Sequence, residues 1–305
     1  MPLFALDHVS HSYGSVSALR DVTLQVEPGT IGLIGQNGAG KSTLLKILLG
    51  LIRPTQGRSQ VLGCDVGSEA RELRGRVGFM PEADALIPDL YGVDLVALAG
   101  ELCGMPRKQA LRRAHEVLSY LDLGEVRYRP CGGYSVGMKQ RLKLAAALVH
   151  DPELLLLDEP TAGLDPDGRD DMLNLLQSLA RRHGKSLILS THLLGDIDRV
   201  CEQVLIVHRG TVRGMGRIGD LRAQFRGLYR LSWRGLAAGF LDQLQSAGVL
   251  LRSTDSTDAV LVETPSDWAV RRFYEIAANC NVILRDIVPQ EEDLEDLYHR
   301  VIQAA

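Results

Sequence analysis

The nine residues Gly35-Gln36-Asn37-Gly38-Ala39-Gly40-Lys41-Ser42-Thr43 carry the most specific chemistry in the chain. They fit G-x-x-x-x-G-K-S, with the apolar run 30–34 before them and the helix-like run 46–49, closed by Gly50, after them. Glycines let such a loop curl until successive N–H groups point inward at a phosphate, and the following helix adds its positive end. Lys41 then reaches the β- and γ-phosphates, and the Ser42 hydroxyl joins a magnesium shell. The nucleotide-binding set on this reading is Gly35, Asn37, Gly38, Ala39, Gly40, Lys41, Ser42 and Thr43. A plain glycine-rich turn is the competing reading, and the flanking strand and helix argue against it.

Three weaker signals fit the same chemistry. Asp158 and Glu159 end the apolar run 154–157, and strand ends beside a glycine loop are where α/β sheets bind ligands. Asp158 would hold magnesium through its water shell, while Glu159, pointing the other way, would orient or deprotonate an attacking water. A strand ending in a polar turn explains the same pair without function. His192 follows the strand-like run 186–190 and could sense a γ-phosphate, though a lone histidine at a strand end is more often a structural residue. Ser135 and Gly137 precede a helical run at 139–149, which suits either an anion nest or an ordinary serine cap.

These residues need a scaffold. Short apolar runs at 30–34, 77–80, 154–157, 186–190 and 204–208 alternate with helical patterns, and the last four lack polar alternation, as in strands buried on both faces. That is an α/β sheet with helices packed on it. Residues 89–123 break the pattern with two amphipathic helical stretches around Gly104-Met105-Pro106, which predicts a helical insertion over about 89–150. Beyond about residue 221 the order becomes β-α-β-β-α-β-α: strand 229–233, helix 239–247, hairpin 250–252 with 259–263, a helix capped by Ser266-Asp267 and running to 279, strand 282–288, and helix 291–303. The expected domains are therefore residues 1–220 and a small ferredoxin-like α+β unit over 221–305. Trp233 and Trp268 read as core of that unit, and Glu291-Glu292-Asp293 as the negative start of its last helix.

Bulk properties remove other classes. A net charge of −4 gives no general attraction to nucleic acid. Cys64, Cys103, Cys131, Cys201 and Cys280 are scattered without metal-like spacing, which fits a reducing compartment. No run approaches the 18 or so apolar residues needed to span a bilayer, and the first residues lack a basic start and a long apolar core. Any membrane would be met through another polypeptide.

Taken together, the motifs over residues 1–220 resemble, in order, those of the ATP-binding subunits of ATP-binding-cassette (ABC) transporters, in particular the exporter type with a short C-terminal extension. Residues 35–43 match the Walker A loop, Tyr134-Ser135-Val136-Gly137-Met138-Lys139-Gln140 the signature motif, and 154–160 the Walker B strand with its catalytic glutamate, Glu159. Ala162-Gly163-Leu164-Asp165 match the D-loop and Ser190-Thr191-His192 the switch histidine, while Tyr13 sits where the family stacks an aromatic on adenine. The resemblance implies a P-loop NTPase core, ATP and magnesium as ligands, catalytic roles for Glu159, His192 and Lys41, and metal contacts from Ser42 and Asp158. Two departures stand out: Val136 replaces a signature glycine, and Glu82 replaces the glutamine usual after strand 77–80, adding a carboxylate near the metal.

The resemblance further implies a head-to-tail dimer, homo- or heteromeric, in which each ATP lies between one copy's Walker A loop and the other copy's Ser135 and Gly137. The partner would be an integral-membrane permease encoded separately, with the chain peripheral on the cytoplasmic face of the cell membrane, and no nucleic acid bound. The apolar run 86–91 is either buried core or the surface that receives the permease, and the C-terminal unit an accessory for dimer contact or regulation. An importer ATPase is the nearest rival, although importers commonly carry a larger β-barrel extension. A non-transport ABC ATPase usually has two cassettes or a long coiled coil. A module that only holds ATP fits poorly with intact Lys41, Asp158, Glu159 and His192.

Overall fold

The computed structural model describes residues 1–83, 85–224, 227–234, 237–256, 258–265, 268–289 and 294–303. They form two compact units, Met1–Arg217 with residues from 301 onward, and Ile218–Arg300.

In the first unit, strands β1 (Phe4–Tyr13), β2 (Val16–Val26), β4 (Gln56–Val61) and β5 (Cys64–Asp65) make an antiparallel sheet of order β2-β1-β4-β5. Strands β3 (Thr30–Ile34), β6 (Val77–Met80), β7 (Leu154–Asp158), β8 (Ser186–Ser190), β9 (Gln203–His208) and β10 (Thr211–Arg217) make a second sheet of order β10-β9-β3-β8-β7-β6. It is parallel throughout except for β10, which runs against β9. Every residue of β3, β7 and β8 is buried, which explains their unbroken apolar runs.

Helix α1 (Lys41–Leu48) shares one core with both sheets. Its Leu44, Ile47 and Leu48 cluster with Phe4, Val9 and Val22 of the small sheet and with Ile31, Leu156 and Ile188 of the large one. The helix that follows the glycine loop is thus immobilised by packing rather than by propensity. The antiparallel sheet is the main element that apolar runs did not reveal. Its long strands are half exposed, and register shifts with left-handed residues at His8 and Asp21 interrupt their alternation.

Helix α2 (Ala70–Arg74) precedes β6. The helical insertion holds α3 (Gly92–Leu102) and α4 (Arg107–Tyr120), separated where Gly104 takes a φ of 93° and Pro106 precedes the new helix. Helix α5 (Val136–Leu148) starts three residues earlier than the pattern suggested, because the Ser135 hydroxyl accepts from the Met138 N–H at 3.3 Å and caps it. Helices α6 (Pro166–His183) and α7 (Leu194–Val200) complete the unit.

The second unit begins with α8 (Ile218–Gln224) and contains β11 (Leu228–Arg234), α9 (Ala238–Ser246), β12 (Leu250–Ser256), β13 (Ala259–Glu263), α10 (Arg271–Asn279) and β14 (Ile283–Pro289). Its antiparallel sheet has the order β12-β13-β11-β14, the interleaved arrangement of two crossing β-α-β segments. Trp233, Phe240, Val260, Val262, Trp268 and Phe273 form its core. Helix α10 starts later than anticipated, and the proposed cap Ser266-Asp267 lies outside the described residues, as does Glu291-Glu292-Asp293 before α11 (Leu294–Gln303). Among the described residues no helix is long and apolar enough to cross a membrane.

Candidate nucleotide site

Four neighbouring strands of the large sheet, β3, β8, β7 and β6, release their chains at the same edge. The loop after β3 supplies Gln36 to Thr43, the turn after β8 supplies His192, the end of β7 supplies Asp158 and Glu159, and the turn after β6 supplies Glu82. All of these except Ala39 line one cleft of about 490 Å³, together with Tyr13, Val16, Ser17 and Ala18 from the small sheet. Chain segments some 150 residues apart become neighbours because strand order differs from chain order.

The glycine loop has the curvature a phosphate cradle requires. Gly38 and Gly40 have φ of 78° and 109°, and Gly40 is the residue from which α1 departs. A Cβ at Gly40 would lie 2.6 Å from the Ala18 carbonyl oxygen, so the position demands glycine on contact as well as conformation. Lys41 is 9% exposed, and its ammonium donates to the carbonyls of Gly35 and, at 3.3 Å, Gln36. Burial pulls its pKa below the ordinary lysine value, while the charges of Glu159, Asp158 and Glu82 oppose that shift.

Glu159 is held more firmly than a residue at a strand end needs to be. It is 8% exposed and adopts a left-handed φ of 50°, an uncommon backbone for a non-glycine residue. Its carboxylate accepts from the Thr191 hydroxyl at 3.0 Å and from the His192 backbone N–H at 2.9 Å. The His192 Nδ1 lies 2.9 Å from the same oxygen as the backbone donor, while the His192 side chain remains 64% exposed. Asp158 sits beside it, 9% exposed, its pKa raised by burial and then by the charges of Glu82 and Glu159. Among the described residues no three His, Cys, Asp or Glu side chains converge closely enough to hold a metal unaided. That donor set fits magnesium, which takes one or two protein oxygens and completes its octahedron with water and phosphate.

The other anticipated residues divide clearly. Tyr13 is 48% exposed at the end of β1, its ring in a T-shaped contact with His11 at 4.7 Å, and it lines the cleft. Glu82 lines the cleft with an exposed side chain. Ser135 and Gly137 are not among the lining residues: Ser135 caps α5 on an exposed surface beside Val136, which is 50% exposed. Asp165 also lies outside the cleft, and its carboxylate accepts from the Gly168 N–H at 3.0 Å to cap α6. Thr191 was missed as a site residue, although its adjacency to His192 was a usable signal. Gln36, whose carbonyl helps hold Lys41, was inside the motif but carried no assigned role. The buried Asp196, which accepts from Thr161 at 2.6 Å and from Arg169, had no sequence signal at all.

Comparison with known proteins gives one answer throughout. The family described as ABC transporter matches residues 19–162. An uncharacterised ABC transporter ATP-binding protein of Bacillus subtilis is 31% identical over 304 residues, covering 99% of this chain and 100% of that protein. The daunorubicin resistance ATP-binding protein of Streptomyces coeruleorubidus is 38% identical over 223 residues, covering 73% of this chain and 70% of its own length. Among solved structures, a dimeric ATP-binding cassette in a post-hydrolysis state, bound to ADP and Pi, aligns with a TM-score of 0.64 and 26% identity over 70% of this chain and 98% of its own.

Proposed function

This chain belongs to the ATP-binding proteins of ABC transporters, and from that premise we propose that two copies close on ATP to drive export through a separately encoded membrane permease. It is an ATP-binding, ATP-hydrolysing subunit.

Lys41 and the N–H groups of residues 38–43 hold the β- and γ-phosphates, and Tyr13 stacks on the base. Ser42 and Asp158 hold magnesium, with Glu82 adjoining; the ion, when bound, offsets charge on the transferring phosphoryl group. Glu159 takes a proton from the attacking water, and His192, tied to it at 2.9 Å, keeps it aimed. The observation that carries the shared-site reading is the placement of Ser135. It presents the N-terminus of the 13-residue α5 on an exposed surface, away from the cleft its own chain builds. A second copy related by a two-fold axis brings that nest to the first copy's phosphates. Loss of the γ-phosphate then removes the attraction and opens the pair.

Export is favoured by the length and architecture of the second unit and by the drug-resistance protein among the relatives. The run 86–91 supports a docking role, since Ile87 and Tyr91 are 47% and 49% exposed rather than core. On this reading the chain works on the cytoplasmic face of a membrane, bound through its partner.

A mixing experiment tests the shared site. Lys41→Ala removes one half of each site and Ser135→Arg the other, so each variant alone should be inactive. Random pairing of equal amounts makes half the dimers mixed, each with one intact site, so about a quarter of all sites should recover. No recovery from a mixture that still forms dimers rejects the shared site.

A further inference from the structure

Resting on the reading above, we infer that Lys143 is a positioning residue that clamps the root of the Glu82 turn to the helix bearing Ser135. By composition Lys139, Arg141 and Lys143 are polar residues of a kind usually solvated on a helix. Lys143 is instead only 4% exposed. Its ammonium donates to the carbonyl oxygens of Pro81 at 2.9 Å and Glu82 at 3.0 Å, the two residues just beyond β6. Burying an ammonium is costly, and an aliphatic side chain of this length would pack without that cost. What the lysine supplies is geometry.

The clamp has a counterpart at the far end of the same stretch. Gly132 N–H donates to the Pro88 carbonyl at 2.9 Å and Cys131 N–H to the Leu90 carbonyl at 2.8 Å, and Tyr91 bridges to Pro130. Both ends are therefore bonded to the segment that runs from Pro130 through Ser135 into α5. One turn before Lys143, the Gln140 amide donates to the Ala162 carbonyl at 2.9 Å, tying the same helix to the loop after β7. Glu82 lines the cleft together with Lys41, Ser42 and Asp158. A shift of Glu82 when nucleotide arrives is thus passed through two hydrogen bonds to the helix whose first turn must meet the other copy's phosphate. Lys143 acts on the reaction through Glu82 and α5 and does not itself touch nucleotide.

Lys143→Met keeps the length and removes the donors. In the full chain its kcat should fall about tenfold or more with KM for ATP within about twofold, and Lys143→Arg should retain most of the activity. In a Glu82→Ala background Lys143→Met should add almost nothing, because both changes cut the same connection. A second measurement needs no turnover: in nucleotide-free protein the Glu82 and Ala83 amides should exchange with solvent about tenfold faster in Lys143→Met than in wild type. Failure of the ATPase reading would show as a wild type without turnover, and the exchange result would still decide the clamp. Unchanged exchange, a parallel loss of kcat and ATP affinity, additive effects with Glu82→Ala, or no rescue by arginine each overturns it. If Lys143→Met does not fold, Lys143→Gln, whose shorter amide removes the charge and falls short of the two carbonyls, goes through the same cycle.

Discussion

Replacing Glu159 by glutamine separates holding the site from running it. The glutamine oxygen can still accept from the His192 N–H, now at 2.9 Å, and its amide can face the Thr191 hydroxyl, now at 3.0 Å, which turns to accept. Side-chain volume is nearly unchanged, so the packing around a residue only 8% exposed survives. What disappears is a proton acceptor and one negative charge. A positioned general base contributes about 10²–10⁴-fold, which corresponds to about 2.7–5.5 kcal/mol of barrier. Steady-state phosphate release at saturating magnesium-ATP should fall by that factor. ATP affinity, measured by equilibrium binding, should hold or tighten, because less charge opposes the γ-phosphate, and gel filtration with ATP should show a persistent dimer. Glu159→Ala provides the contrast: it strands the Thr191 and His192 donors and should lower Tm, whereas glutamine should not. Turnover within threefold of wild type, or a loss of binding that tracks the loss of turnover, would refute Glu159 as the base.

Asp158→Asn should stabilise the nucleotide-free protein at pH 7 while abolishing magnesium-dependent ATP binding. The folded state raises this carboxyl's pKa, so folding retains a proton the unfolded chain releases, and the aspartate's contribution becomes more unfavourable as pH rises through the carboxylate range. The Tm difference between variant and wild type should accordingly shrink as pH falls through that range; a constant difference contradicts the assignment. Gly40→Ala places a Cβ 2.6 Å from the Ala18 carbonyl at a φ of 109° and should cost about 1–3 kcal/mol in denaturant unfolding, with ATP binding lost. Asp196→Ala removes the buried acceptor of Thr161 and of the part-exposed Arg169 and should cost about 1–3 kcal/mol by the same measurement.

What could be read from the chain was whatever local backbone and burial dictate. Gly38 and Gly40 announce left-handed positions beside Lys41, and the all-apolar runs of β7 and β8 announce strands covered on both faces. Interleaved polar residues concealed the small sheet, since β1 and β2 are half wet and their alternation slips at His8 and Asp21. Tertiary placement concealed the rest. Lys143 carries the composition of a surface residue and Asp196 that of an ordinary helix start, and each is buried only because segments remote in sequence fold over it. The site itself follows the same logic. In chain order Glu82 lies nearest the glycine loop and His192 farthest, yet β8 is the strand beside β3 while β6 is last in the row. The sheet therefore inverts sequence distance: it sets the most remote residue, His192, against Glu159 and brings Glu82 in from the last strand of the row. The same inversion that brings His192 to Glu159 also carries the backbone carbonyls of Pro81 and Glu82 to the ammonium of Lys143.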